Sequence, residues 1–180
     1  YYVGLFLGDQ ANTWAVLRAG TGEAGQAMLA SGHRLPVGDS SVVGRSIANS
    51  RSHVVQETDR DAVPLATKEL PNTRSEAAIP ISIGNNIMGV LDVQSNQVNH
   101  FNPGDISFLN TLANQIASSL RNKELMDAVH FNAEEAALLY PAGRKIARAG
   151  TREEIFQIAD QILRQTAAIS AIYQAGEVSL

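Results

Sequence analysis

The chain of 180 residues contains no cysteine. Disulfides, thiol nucleophiles, zinc–thiolate sites and thioether attachment of a cofactor are therefore excluded. No apolar run approaches the roughly eighteen residues that a membrane-spanning helix requires, and no signal-peptide pattern opens the chain. Basic residues are in the minority, 14 Lys and Arg against 18 Asp and Glu, so the broad positive surface expected of a nucleic-acid binder is missing. His33, His53, His100 and His130 are scattered without metal-ligand spacing. Gly20, Gly22 and Gly25 are too loosely set to make a phosphate-binding box. Against these absences, 44% of the residues are apolar and 18% charged, which predicts a packed core and room for one domain with extra elements. A cytoplasmic module fits this composition.

Residues 1–7 are rich in β-formers, 8–12 supply turn chemistry and 14–19 alternate again, which predicts an opening hairpin. Residues 22–30 carry helix formers with Gly32 just beyond. Residues 33–37, holding Pro36, predict a short edge strand. Ser40 and Ser41 cap a helix running to about Asn49, with Val42, Val43, Ile47 and Ala48 on its buried side. Residues 53–55 form a short strand candidate. From 57 to 72 the chain is polar, contains Pro64 and Pro71 and shows no period, which predicts a long loop with a helical turn near 65–70.

The stretch 73–95, TRSEAAIPISIGNNIMGVLDVQS, is the most informative. Two alternating runs flank a Gly84-Asn85-Asn86 turn. Ala77, Ile79, Ile81 and Ile83 share one strand face; in the second strand Gly89, Leu91 and Val93 oppose Val90, Asp92 and Gln94. One side of the sheet is therefore expected to be half polar. Asn102-Pro103-Gly104-Asp105 spells a helix start. Ile106, Leu109, Ala113, Ile116 and Leu120 follow at heptad spacing, widened by Leu112. Residues 134–148 read as helical, with Pro141 expected to kink or divide them. Thr151-Arg152-Glu153-Glu154 is a capping box for a helix lined by Ile155, Ile158, Ala159, Ile162 and Thr166. Residues 169–173 read as a strand. The chain starts in mid-strand and closes at Val178-Ser179-Leu180 in what reads as another, so a piece of a longer protein is expected.

The phrases WAVLRAGTGEAGQ, GHRLPVGDSSVVGRSIANSR, LPNTRSEAAIPI and MGVLDVQSNQVNHFNPGDISFLNTLANQIASSLRN, in that order, resemble a GAF domain over residues 1–122. GAF domains are small-molecule-sensing and dimerising modules of signalling proteins, phytochromes among them. The resemblance implies an α+β, profilin-like fold: an antiparallel sheet of five or six strands, helices packed on one face and a lidded pocket on the other. Residues 41–72 would form the lid; 14–18, 78–82 and 90–94 would form the floor. The helix that normally precedes the first strand is missing. Residues 138–166 followed by 169–173 resemble the opening of a second such module. The implied organisation is a GAF domain at 1–122, a connecting helical segment at 123–150 and the beginning of a second module at 151–180. The helix at 151–166 would pack where the missing one belongs.

Six residues are candidates for ligand contact. Arg74 and Glu76 sit where the loop feeds the hairpin, and an arginine there suits a carboxylate or phosphate; a salt-bridged strand entry is the competing role. Asp92 and Gln94 project from the half-polar face, to bond either a ligand or neighbouring groups. Trp14 would stack on a planar ligand or simply pack, with Arg18 on the same strand. Family members bind cyclic nucleotides, tetrapyrroles, haem or amino acids. A covalent bilin is excluded by the absence of cysteine, and the cyclic-nucleotide signature of phosphodiesterase GAF domains is absent; no cofactor is assigned beyond an unidentified small molecule. An enzymatic branch reduces free methionine sulfoxide through cysteine thiols, which this chain lacks; with no nucleophile or metal constellation and no kinase features either, the chain is expected not to be an enzyme. His130 is followed by Phe131-Asn132-Ala133, unlike a phosphoacceptor helix.

The function expected is a non-enzymatic, ligand-sensing and dimerising regulatory domain of a bacterial-type signalling protein. The alternatives are a structural dimerisation module without ligand and, third, a cyclic-nucleotide-binding GAF domain. The expected partner is a second copy, joined through Ile106, Leu109, Ile116 and Leu120, with no nucleic acid and no membrane insertion in this chain.

Overall fold

A computed structural model describes residues 1–38, 40–56 and 68–178, with side chains through residue 171. The chain divides into two compact units, Tyr1–Leu120 and Arg121–Leu180.

The first unit is built on a six-stranded antiparallel sheet. Its strands are β1 (Tyr2–Gly8), β2 (Trp14–Gly20), β3 (Arg34–Pro36), β4 (His53–Val55), β5 (Ser75–Ile83) and β6 (Asn86–Ser95), in the order β3-β2-β1-β6-β5-β4. The short strands lie at the two edges, as Pro36 in β3 requires. The fold is the α+β, GAF-like one. Helices α1 (Gly22–Ala30) and α2 (Val42–Asn49) connect the early strands. The Ser41 hydroxyl accepts the Gly44 N–H at 2.9 Å and starts α2, which stops at Ser50 in the left-handed region, φ 54°.

Strand alternation sorts the side chains into two cores. Phe6, Ala15, Leu17, Val90 and Ala78 face one way and bury Met28 of α1 with Val42, Val43 and Ile47 of α2. Ala77, Ile79, Ile81, Leu91 and Val93 face the other way, against Leu109, Ala113 and Ala117. Those three belong to α3 (Pro103–Ile146), which begins as its sequence predicts. Asn102 Oδ1 accepts the N–H groups of Gly104 and Asp105 at 2.8 and 3.1 Å, and Asp105 returns a carboxylate oxygen to the Asn102 N–H at 2.9 Å. The spacing of four from Leu109 to Ala117 keeps one stripe on the sheet, and its two alanines let the helix lie close. Each buried isoleucine of that face contributes about 1.5–3 kcal/mol. Leu109 is thus used within its own unit and has little surface left for a second copy; Ile106, Ile116 and Leu120 are half-buried.

The second unit comprises the continuation of α3 and α4 (Arg152–Val178). Two expectations need correction here. Pro141 does not divide the helix: α3 runs through it to Ile146. A proline removes one backbone donor, and the helix formers before it, Ala136 to Leu139, with Ala142, Arg144 and Lys145 after it, carry the helix past that single loss even with Gly143 among them. Nor is there a strand at 169–173 or at Val178, since α4 is helical throughout. Ile162, Thr166, Ile169 and Tyr173 recur at spacings of four, three and four, so the β-formers there continue the helical period. A helix followed by a strand was the basis for a second GAF module, which is accordingly not supported. Half of the capping box forms as expected, the Thr151 hydroxyl accepting the Glu154 N–H at 3.2 Å, while the Glu154 carboxylate accepts the N–H of Gly150, one residue before the cap, at 2.8 Å. Among the described residues no helix is long and apolar enough to cross a membrane.

Candidate functional site

The sheet face shared with α1 and α2 is apolar at one end and polar at the other. Antiparallel register explains the division. Tyr2 of β1 lies beside Gln94 of β6, which lies beside Glu76 of β5; one step along, Gly4 lies beside Asp92, and Asp92 beside Ala78. Glu76 and Asp92 are therefore diagonal neighbours on one face, within reach of each other. All four polar side chains are buried.

They form a chain of contacts. The Thr73 hydroxyl donates to Gln94 Oε1 at 2.7 Å, and Gln94 Nε2 donates to Asp92 Oδ2 at 2.8 Å. Asp92 in turn shares a hydrogen bond with Glu76. Two ionised carboxylates cannot make such a bond, so one of them carries a proton. Burial, then the Asp92 charge, pushes the Glu76 carboxyl well above the usual carboxylate range. Burial likewise raises Asp92 to about 6, against the partial relief that Gln94 provides. No cation offsets either group among the described residues. The Tyr2 phenol lies alongside, and burial and the two carboxyls hold its proton on more tightly than usual.

Gly4 makes room for that phenol. A Cβ there would overlap Tyr2 Oη, so the ring lies across the glycine and brings the hydroxyl beside Asp92. Tyr2 Oη and Asp92 Oδ1 nevertheless have no hydrogen-bond donor or acceptor among the described neutral groups. A proton on Glu76 can serve Asp92; nothing similar serves the phenol. A buried hydroxyl in that state costs about 1–3 kcal/mol. Tyr2→Phe is accordingly expected to leave the unliganded protein as stable or about 1 kcal/mol more stable in urea denaturation. A loss larger than that would show the hydroxyl to be bonded.

Of the six residues expected from sequence, the structure brings three together: Glu76, Asp92 and Gln94. Trp14 lies elsewhere, half-buried on β2 with the Arg34 guanidinium 4.3 Å above its ring. Its neighbour Ala15 points into the α1–α2 core, so Trp14 faces the opposite side of the sheet. Arg18 falls at the irregularity between β1 and β2 and is exposed. Arg74 is exposed, and its backbone N–H is tied to the Ser95 carbonyl at 2.7 Å. Part of the expected lid, 57–67, lies outside the described residues. Tyr2 and Thr73 were not anticipated. Both belong to the site only because β1 pairs with β6 and because the loop turns back at Thr73, neither of which periodicity reveals. Tyr2, Thr73 and Gln94 also line a hollow of about 210 Å³, together with Tyr1, Glu69 and Leu70.

This polar patch sits on a GAF-like sheet, and a family model described as GAF domain matches residues 3–121. The chain belongs to the GAF domain family. Solved structures agree. The GAF domain region of a putative membrane protein from Geobacter sulfurreducens is 28% identical, with a TM-score of 0.55 over 67% of this chain and 80% of that one. A free methionine-R-sulfoxide reductase from Neisseria meningitidis, solved in complex with its substrate, is 27% identical with a TM-score of 0.55, over 66% of this chain and 65% of the reductase. The corresponding enzyme of Staphylococcus aureus, at 24% identity and a TM-score of 0.55 over 66% and 70%, shares the fold. No curated protein matches the chain. The reductases overturn the expectation that a GAF domain of this kind is not an enzyme: several of its similar structures are enzymes. The expectation drew on the missing cysteine thiols and on the lack of a nucleophile, metal or kinase signature in the sequence.

Proposed function

We propose that this GAF domain binds a small polar molecule over Tyr2, Glu76, Asp92 and Gln94, and that it acts as a ligand-responsive, dimerising regulatory module. The buried carboxyl pair beside an unsatisfied phenol carries this reading. Such a cluster is costly in a domain meant only to fold, and a ligand can repay it by bonding Tyr2 Oη and replacing the shared proton. Two carboxyls without a counter-cation favour a ligand bearing an ammonium group, such as a free amino acid. The likeness to a reductase solved with its substrate points to free methionine-R-sulfoxide as the first probe. It also supports a second reading in which the bound molecule is turned over. In that reading the proton shared by Glu76 and Asp92 is available for acid–base chemistry, and the reductant comes from outside this cysteine-free chain.

The regulatory part of the reading rests on α3. Beyond Leu120 it exposes Leu125, Met126 and Val129, apolar side chains that suit a second copy. A ligand preferring one arrangement of the site would bias the helix leading out of the domain.

Thermal shift against free methionine-R-sulfoxide, amino acids and cyclic nucleotides tests the binding site, with Asp92→Asn as the paired variant. A melting-temperature rise in the native chain that Asp92→Asn abolishes is the expected result. A rise undiminished in the variant puts the ligand elsewhere. No rise with any probe returns the domain to the structural dimerisation reading. Adding a dithiol reductant and following the sulfoxide separates binding from turnover.

A further inference from the structure

From Ala136 to Arg152 the chain contains no acidic residue and four cations: Arg144, Lys145, Arg148 and Arg152. In a chain of net charge −4 this is a local reversal of sign. Tyr140, Arg144 and Arg148 recur every four residues on α3 and the turn after it, so they share one side, with Lys145 next to them. Together with Pro141 these four residues line a hollow of about 240 Å³.

The ordinary explanation is that the cations complement the negative end of the helix. That end carries about half a charge, whereas three full charges line the hollow. Arg152 is at the opposite kind of terminus, in the first turn of α4, where a cation is unfavourable. Acidic partners do not account for the cluster either. No ion pair among the described residues involves Arg144, Lys145, Arg148 or Arg152. The nearby Glu154 carboxylate is turned to the Gly150 N–H. Like charges four apart on a helix repel, so the arrangement is unfavourable on its own. The three ion pairs of α3 and α4 among the described residues show the opposite habit, each cation sitting three or four residues from its acid.

We propose that this hollow is a second binding site, separate from the sheet, for a soluble phosphate-bearing small molecule. Arg144 and Arg148 present guanidinium forks that match phosphate oxygens two at a time, Lys145 adds a point charge, and the Tyr140 hydroxyl adds a neutral donor. Tyr140 is 73% exposed, so its ring is open to a ligand at the rim. Two phosphoryl groups would meet three cations, which favours a diphosphate over inorganic phosphate.

Isothermal titration of the full chain with inorganic pyrophosphate, at about 0.05 M ionic strength to limit screening, is the test. The native chain is expected to bind, and Arg144→Gln with Arg148→Gln to weaken binding at least about tenfold. Arg121→Gln, on the same helix and paired with Glu124 outside the hollow, is expected to change nothing. Circular dichroism distinguishes a lost site from a lost helix; if the double variant unravels, Lys145→Gln read alone replaces it. Failure of the native chain to bind pyrophosphate, or equal binding by the double variant, overturns the proposal. Binding only to vesicles containing phosphatidylglycerol, with none to pyrophosphate, overturns it as well, because the phosphate would then be a lipid headgroup.

Discussion

Gly89→Ala is expected to cost the first unit about 3 kcal/mol, enough to unfold a marginal domain. Gly89 lies at the junction of β1 and β6, beside Leu7, next to the irregularity where β5 and β6 shift register. A Cβ there would overlap the Phe6 carbonyl oxygen and press on Leu7 at 3.0 Å. The obstacle is backbone in the centre of the sheet, so no rotamer change relieves it; the two strands must separate and give up ladder bonds. The same substitution at Gly143, within α3, has the opposite sign. Its Cβ would meet nothing within 4 Å, and helix propensity should favour alanine by about 0.5–1 kcal/mol. Urea denaturation of the two variants measures both effects. Equal stabilities for native and Gly89→Ala chains would mean that β1 and β6 do not approach as described.

The second large effect depends on pH. Glu76 and Asp92 both bind their protons more tightly in the folded than in the unfolded state. Stability from this source is therefore complete below the unfolded carboxyl range and is lost as pH rises through the folded values. For Asp92 the window runs from 3.8 to about 6. That shift alone corresponds to roughly 3 kcal/mol lost across it. The double variant Glu76→Gln, Asp92→Asn keeps the polar groups without the titration. It is expected to lose this slope and to exceed the native chain in stability at about pH 8, measured by urea denaturation from about pH 4 upward. A native slope identical to that of the variant would show that the carboxyls do not share a proton. The same slope bears on binding: a ligand ammonium group that displaces the proton should bind more tightly as pH rises, until its own group titrates.

Much of this was legible in the residues. Alternation in 75–83 and 86–95 defined the hairpin and its half-polar face, because a strand's period of two leaves no freedom about which side chains go together. Ser41, Asn102 and Thr151 marked three helix starts, since a cap is a local hydrogen bond made by residues close in sequence. The misreading at 169–173 came from weighing β-branched residues above period. The exclusion of enzymes came from searching for local signatures, which a site assembled from separate strands does not leave in the sequence.

The sequence by itself determined the hairpins, the caps, the GAF resemblance and the half-polar face that carries Asp92 and Gln94, with Glu76 at its entry. All of these follow from spacing or from recognisable phrases. Only the tertiary structure decided that Tyr2 and Thr73 join them, that Trp14 faces away, and that Leu109 is spent on its own sheet. Each of those depends on which strand lies beside which, at separations of tens of residues. Pairing of that kind is a property of the folded register: β1 against β6 carries Tyr2 to Gln94 and opens Gly4 beneath its ring, and no local pattern in either strand encodes the meeting.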